Sequence, residues 1–398
     1  MNPLQLIAFI LLVEVVLYFL ASSSPRIKDL LARIGIEPFP LGFLIKRKSG
    51  VSTLDRFVGS RSARAFFTLG IPVMVVSMIL FYIFVYIVGI DFVAKYIRVA
   101  SSGGEPPASP LVPIIPGLTI TGWDIIYLLI AIGINVTIHE LGHAIAAKAE
   151  NKRLKSYGAG LLLFFPVAFV ELEEEDALKS GGLVAGRILA GGVLMNMVIF
   201  AIASGAVLGI VYAAPAIGVS QGVIIEGVEE GSLAERSGIS PGLLILSINN
   251  TRIGSLDDFL RFREHIVSDK SVYIEIEGIY PNGTKYSSTI YKPSNTTRLG
   301  IYLSVVPLVF GLSMGALVTV NEHGYARLYI LEEAIKIFLW TAIIGLSLAI
   351  INAAPLFITD GGKFLDTVLP RKLSRPLQIL TTVGFIIIFA LSTINILS

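Results

Sequence analysis

Long uninterrupted apolar runs, rather than alternating or amphipathic ones, dominate this chain. Six stretches with few or no charges, approximately Pro3 to Ala21, Phe66 to Ile90, Trp123 to Ala147, Ile188 to Ala214, Ile337 to Pro355 and Pro376 to Ile396, approach the ~20 residues a helix needs to cross ~30 Å of hydrocarbon. They predict a polytopic α-helical membrane protein of about six transmembrane helices. Two segments between them follow other rules. The run GLLLFFPVAFVELEEED, Gly160 to Asp176, is rich in aromatic and branched residues, carries Pro166 and ends in acids. It is too short to span, and irregular backbone at membrane depth must be covered by protein, so a re-entrant β-hairpin lining a cavity is expected. From Pro215 to about Ser304, charges, turn residues and alternation such as VYIEIEG (Val272 to Gly278) predict a β-rich unit of roughly 90 residues outside the membrane. The apolar stretch Val305 to Val320 contains Pro307, Gly311 and Gly315 and is compatible with lying on the membrane or dipping into it.

Composition agrees with a lipid solvent. Of 398 residues 54% are hydrophobic and 15% charged, against a charged share near ~25% in soluble domains. A net charge of +2 and the absence of RNA- or DNA-binding motifs argue against a nucleic-acid partner. With no cysteine, disulfides and thiolate metal sites are excluded, and a bound metal needs His and carboxylate ligands. The first apolar stretch lacks a basic segment before it and is interrupted by Glu14, so it is expected to be a retained helix rather than a signal peptide. Glu14 itself faces either a polar partner in the bundle or a tolerant interface.

Basic residues in short loops set orientation, because they stay on the cytoplasmic side. The segment after the first helix carries Arg26, Lys28, Arg33, Lys46, Arg47, Lys48, Arg56, Arg61 and Arg64 against Asp29, Glu37 and Asp55. Counting helices onward also places Lys152, Arg153 and Lys155, then Lys363, Arg371, Lys372 and Arg375, on that side. Both termini and the β-rich unit are therefore expected to be extracytoplasmic.

The third apolar stretch contains INVTIHELGHAIAAK, in which His139 and His143 stand four residues apart with Glu140 between them. On an α-helix both imidazoles share one face and can share one metal ion, expected to be zinc, while Glu140 reaches a water in the open coordination position. Ionisable side chains in a spanning helix cost roughly 2.5 kcal/mol or more each, so three in one helix demand a use. About eight residues, or ~12 Å, separate His139 from the helix end near Ala147, which submerges the site on the cytoplasmic half of the bilayer. His265 and His323 fall in or beyond the external unit and are expected to have surface roles. The fifth apolar stretch runs into IINAAPLFITDGGKF, where Asp360 closes the run on the same side.

His139-Glu140-Leu141-Gly142-His143, Asn352-Ala353-Ala354-Pro355 followed by Asp360-Gly361, and PVAFVELEEE together resemble the site-2 protease family of intramembrane metalloproteases. The resemblance covers about Trp123 to Ile396. It implies His139, His143 and Asp360 as ligands of one Zn2+, Glu140 as the general base, and Asn352 near the reacting carbonyl. RILAGGVLMNMVIF, with Asn196, is similar to the family's fourth-helix pattern. Two departures are Thr359 where the family has Leu before Asp-Gly, and Val167 where it has Gly in Pro-Gly-Ala-Phe. Gly222 to Ile253 resembles a PDZ domain, whose peptide-binding loop would be Leu299-Gly300-Ile301 or Ile217-Gly218-Val219.

The expected organisation is residues 1–121 for two N-terminal helices with a basic loop, 122–214 for the first half of the catalytic core, 215–304 for the PDZ-like domain and 305–398 for the second half. The expected function is zinc-dependent cleavage of transmembrane segments of membrane protein substrates, with a peptide bound by the PDZ-like domain. A non-cleaving membrane scaffold or chaperone is the alternative from another class. A prenyl-protein-processing type of zinc protease would need Glu332 or Glu333 as third ligand.

Overall fold

The computed structural model describes residues 2–48, 61–102, 107–152, 154–172, 182–266, 270–296, 298–304, 306–309, 312–321 and 323–397. The acidic run Glu173 to Asp176 and the loop residues Asp55, Arg56 and Arg153 lie outside the described residues. The chain divides into two units, Met1–Ala203 with Trp340–Ser398, and Ser204–Leu339.

The first unit opens with α1 (Pro3–Ser23) and the short α2 (Pro25–Arg33). Asn2 starts α1 by exchanging hydrogen bonds with Gln5, a reciprocal cap that satisfies two otherwise free amides. Strands β1 (Ile36–Phe39) and β2 (Gly42–Lys48) follow, then α3 (Arg61–Phe81), a π-helical stretch Tyr82–Ile87 and α4 (Val88–Ser102). Next come α5 (Asp124–Ala149), β3 (Leu154–Leu162), β4 (Phe165–Leu172) and α6 (Gly182–Ala213). The strands form one antiparallel sheet in the order β1-β2-β3-β4.

Sequence patterning predicts a hairpin at β3–β4, and strands form there. It does not predict β1 and β2, a hairpin whose second strand pairs with β3 across more than a hundred residues, from Gly42↔Leu162 to Lys48↔Ser156. The β3–β4 turn is Leu163-Phe164, both in the left-handed region (φ 51° and 64°). Phe164 donates its N–H to Oε1 of Glu14, a fully buried residue in the middle of α1. Pro166 lies against Gly133 of α5, so the turn end of the hairpin reaches the middle of two long apolar helices.

The second unit holds β5 (Ser220–Val228), α7 (Leu233–Arg236), β6 (Leu244–Ile248), β7 (Thr251–Arg252), α8 (Leu256–Ile266), β8 (Val272–Ile279) and β9 (Lys285–Lys292). It continues with β10 (Ile301–Leu303), β11 (Val306–Val309), β12 (Leu312–Met314), β13 (Ala316–Asn321) and β14 (Gly324–Arg327). Its main sheet runs β14-β13-β5-β6-β8-β9, with β10 added to β5 and β7 to β6; β11 and β12 make a separate pair. The core is that of a water-soluble domain: Val223, Ile225, Leu243, Ile245, Ile274 and Ile276 pack with Leu256 and Phe259 of α8. The stretch Val305 to Val320, left open between lying on and dipping into a membrane, contributes three strands among its described residues.

The chain closes with α9 (Tyr329–Ala353), α10 (Asp360–Val368) and α11 (Arg371–Leu397). Among the described residues six helical segments are long and apolar enough to cross a membrane: Pro3–Ser23, Arg61–Val99, Asp124–Ala149, Gly182–Ile217, Tyr329–Ala353 and Arg371–Leu397. Leu12, Leu69, Ile79, Ile87, Leu380 and Ile386 are all more than half exposed, or nearly so, the reverse of a soluble protein's surface. The protein is a multi-pass integral membrane protein with a separate β-rich region.

Candidate metal centre

α5 and α6 cross at glycine. A Cβ on Gly142 would strike the carbonyl oxygen of Gly191, and one on Gly191 would stand 2.8 Å from that of Gly142. Without side chains the two backbones touch, as close-packed membrane helices do. This contact lays α6 over His139 and His143. A Cβ at Gly192 would lie 2.6 Å from Nε2 of either ring, so the bare backbone there leaves room for both imidazoles.

Asp360 arrives from another element. Thr359 caps α10: its hydroxyl accepts the N–H of Gly362 and donates its one hydrogen to the carbonyl oxygen of Ala354, with that of Leu356 3.1 Å away, tying the helix start to the turn that ends α9. That explains why a hydroxyl serves at the position before Asp-Gly. Gln378 of α11 holds the other side, donating to Gly362 O and Asp366 Oδ1 at 3.0 Å each.

The result is a nearly equilateral triangle of ligand atoms. His139 Nε2 lies 3.0 Å and His143 Nε2 3.1 Å from Asp360 Oδ2, and the two Nε2 atoms are 3.1 Å apart. All three residues are buried or nearly so. Among the described residues this is the one such group of His and carboxylate side chains. A zinc tetrahedron with ~2.0–2.1 Å bonds has edges of about 3.3 Å, so these atoms need to part by only a few tenths of an ångström to hold such an ion. The donor set, two imidazoles and one carboxylate, suits it. The remaining ring nitrogens are also engaged: His143 Nδ1 lies 2.8 Å from Ile188 O and His139 Nδ1 3.1 Å from Asn196 Nδ2.

Glu140, half-buried, accepts the N–H of Val170 at 2.9 Å. Val170 thus spends its N–H on α5 rather than on β3, and β4 is the last strand of its sheet. Alternation along a strand turns the Ala168 N–H and the carbonyls of Pro166, Ala168 and Val170 to that same unpaired edge. Asn352 is half-buried at the end of α9 and joins the triangle through no hydrogen bond among the described residues. His265 and His323 lie in the second unit. Glu332 is engaged within that unit, accepting from Leu317 N–H and Arg327 Nε. In the sequence Asn196 stands out only through the resemblance of its helix to the family's fourth-helix pattern, and nothing local reveals that it meets His139.

Residues 127–391 match the family model described as Peptidase family M50. An uncharacterized protein of Methanocaldococcus jannaschii is 32% identical over 195 residues, which cover 49% of this chain and 47% of that relative. The chain thus spans about half the length of the curated relative it matches. Membership rests on the long family match, which takes in α5, the hairpin, α6, the β-rich unit and the segment bearing Asp360: the chain belongs to Peptidase family M50, the family of the site-2 proteases.

Proposed function

We propose that this chain is an intramembrane zinc metalloendopeptidase that hydrolyses a peptide bond within a transmembrane segment of another membrane protein. The observation that carries the proposal is the convergence of His139, His143 and Asp360 in a membrane bundle, one residue from Glu140. Family M50 comprises membrane metalloproteases, which supports the reading. His139, His143 and Asp360 are assigned as the ligands that would hold one zinc ion. Zinc held there would lower the pKa of a bound water towards ~7 and polarise the scissile carbonyl.

The protein's own groups do the rest. Glu140 takes the water proton as the oxygen bonds to the carbonyl carbon, then delivers it to the amide nitrogen as the C–N bond breaks. The Val170 N–H holds that carboxylate at the edge of β4. Asn352, eight residues before Asp360, is assigned to hold substrate or the developing oxyanion. A helical substrate hides its amides in its own hydrogen bonds and must unwind locally. The free edge of β4 offers it replacement partners, and the position of the hairpin turn beside the middle of α1 and α5 supports a re-entrant element there.

Residues 122–214 and 305–398 are assigned to the catalytic core, except that the strands within 316–327 join the sheet of the β-rich unit; 215–304 are assigned to a PDZ-like domain and 1–121 to an N-terminal accessory region. In the β-rich unit, β10 is bonded on one side only, follows Leu299-Gly300 and packs with α8, which supports a peptide groove. The basic loops support a cytoplasmic catalytic side, with that unit and both termini opposite.

The test compares wild type, Glu140→Gln and Asp360→Asn, purified in detergent, for bound zinc and for cleavage of a model transmembrane substrate. Glu140→Gln is expected to keep zinc and lose about 10²–10⁴-fold in rate. Asp360→Asn is expected to lose both. Wild type that binds zinc but never cuts, or full activity in either variant, overturns the assignment.

A further inference from the structure

Ile188, Gly192 and Asn196 are spaced four apart on α6 and so face α5 as one ladder. Each rung meets the histidine pair differently. Ile188 presents a carbonyl oxygen 2.8 Å from His143 Nδ1, and a carbonyl can only accept. That fixes a proton of His143 on Nδ1, so the neutral ring turns its Nε2 lone pair to the triangle. Gly192 presents bare backbone, where a Cβ would strike both rings.

Asn196 presents a side-chain amide, fully buried, with Nδ2 3.1 Å from His139 Nδ1 and Oδ1 without a hydrogen-bond partner. In this orientation Nδ2 donates to Nδ1, the ring proton sits on Nε2, and Nε2 donates to Asp360 Oδ2. Such a ring has no lone pair to offer an ion. Turning the amide by half a rotation about its terminal bond exchanges oxygen and nitrogen without changing its shape. Oδ1 then accepts a proton on Nδ1 and gains the partner it lacks, and the Nε2 lone pair points at the triangle.

We propose that Asn196 is a positioning residue that sets the orientation and tautomer of His139, its amide turning over when the centre passes from metal-free to metal-loaded. The inference rests on the reading of the triangle as a metal centre. An acceptor-only residue would hold His139 permanently ready, as Ile188 O holds His143. An amide instead lets the empty centre close on itself through the His139–Asp360 hydrogen bond.

The test uses full-length protein in detergent with Asn196→Asp and Asn196→Leu. Zinc affinity is read by chelator competition and geometry by the visible spectrum of the Co2+ form. Histidine tautomers of the metal-free protein are read from ¹⁵N shifts, which four histidines keep assignable. Asn196→Leu should weaken zinc binding by about 10–100-fold and alter the Co2+ spectrum. Asn196→Asp should stay within a few-fold of wild type, and without metal should move His139 from the Nε2–H to the Nδ1–H form. Wild-type affinity and spectrum in Asn196→Leu overturn the proposal, as does an unmoved His139 tautomer in Asn196→Asp. Equal weakening by both variants with equal loss of thermal stability also overturns it, by showing a packing role. Wild type with the expected tautomers but no affinity for Zn2+ or Co2+ would sink the metal-centre reading while leaving the tautomer assignment standing.

Discussion

Both units bury a carboxylate, and they neutralise it in opposite ways. In the β-rich unit Glu332, 1% exposed at its side chain, receives Arg327 Nε at 2.9 Å and the N–H of Leu317 at 3.0 Å. The same guanidinium reaches Glu226 Oε1 at 2.7 Å and the Ser304 hydroxyl at 2.6 Å. In the membrane unit Asp360 meets two imidazoles, His139 Nε2 at 3.0 Å and His143 Nε2 at 3.1 Å. A buried acid with its own guanidinium needs nothing further. One that converges with two imidazoles is, on the proposed reading, a ligand that shares a cation with them.

Exchanging the two situations gives the largest expected effect. Arg327→Met leaves Glu332 buried without its cation and should destabilise the β-rich unit by about 3–5 kcal/mol. Amide hydrogen exchange over residues 204–339 measures this. Bound zinc should be unchanged. Asp360→Asn should do the converse, emptying the metal centre while exchange in 204–339 keeps its wild-type pattern. Loss of zinc in Arg327→Met, or undisturbed exchange there, would show that the two clusters do not divide their roles in this way.

The sequence displays one of these clusters far better than the other. His139, Glu140, His143 and Asp360 stand out because each is a polar residue in or beside an apolar run, where its cost is visible without a structure. Arg327 and Glu332 look like ordinary charges at the end of a soluble unit, and only the return of β13 and β14 against β5 gives them a common environment. The same limit hides β1 and β2: the pairing of β2 with β3 is long-range, and neither Ile36–Phe39 nor Gly42–Lys48 alternates strongly enough to announce itself. Glu14 is legible as an anomaly, yet its partner Phe164 is 150 residues away. Asn196 is marked in the sequence only by the family resemblance of its helix, and its contact with His139 requires the crossing of α5 and α6 at Gly142 and Gly191.

Glu14 is a third buried carboxylate, satisfied by neither an arginine nor an imidazole but by one backbone amide, with its second oxygen unpartnered. The amide belongs to a two-residue turn with both residues left-handed, a geometry that favours Asn-Gly and costs Leu and Phe roughly 1–2 kcal/mol each. Glu14→Ala should release this turn, at a cost of about 1–3 kcal/mol for the unsatisfied N–H. With the β4 edge loosened, KM for a transmembrane substrate should rise several-fold at unchanged zinc content. Replacing Leu163-Phe164 by Asn-Gly in the Glu14→Ala background should restore KM, because the turn then holds itself. A KM that stays raised in the combined variant would place the role of Glu14 elsewhere.

The smallest effect concerns pH and belongs to the β-rich unit. Burial pushes the Glu226 carboxyl up, but hydrogen bonds from Arg327 and Ser304 and the guanidinium charge outweigh it, leaving the group below its ordinary value. At the start of α8, Asp258 is lowered first by the Ser255 hydroxyl, against some burial, and further by the N–H groups of Gly254 and Ser255. A carboxyl held lower when folded than when unfolded stabilises the fold fully above its unfolded pKa and loses that contribution as pH falls through its folded pKa. Exchange protection in 204–339 should therefore be flat from neutral pH to about pH 5 and decline below about pH 4. Asp258→Asn should remove part of that decline by lowering the plateau rather than the acid limit. Protection that instead rises on acidification would mean that these carboxylates destabilise the unit, and that its acids are not matched to their partners as Glu332 is matched to Arg327.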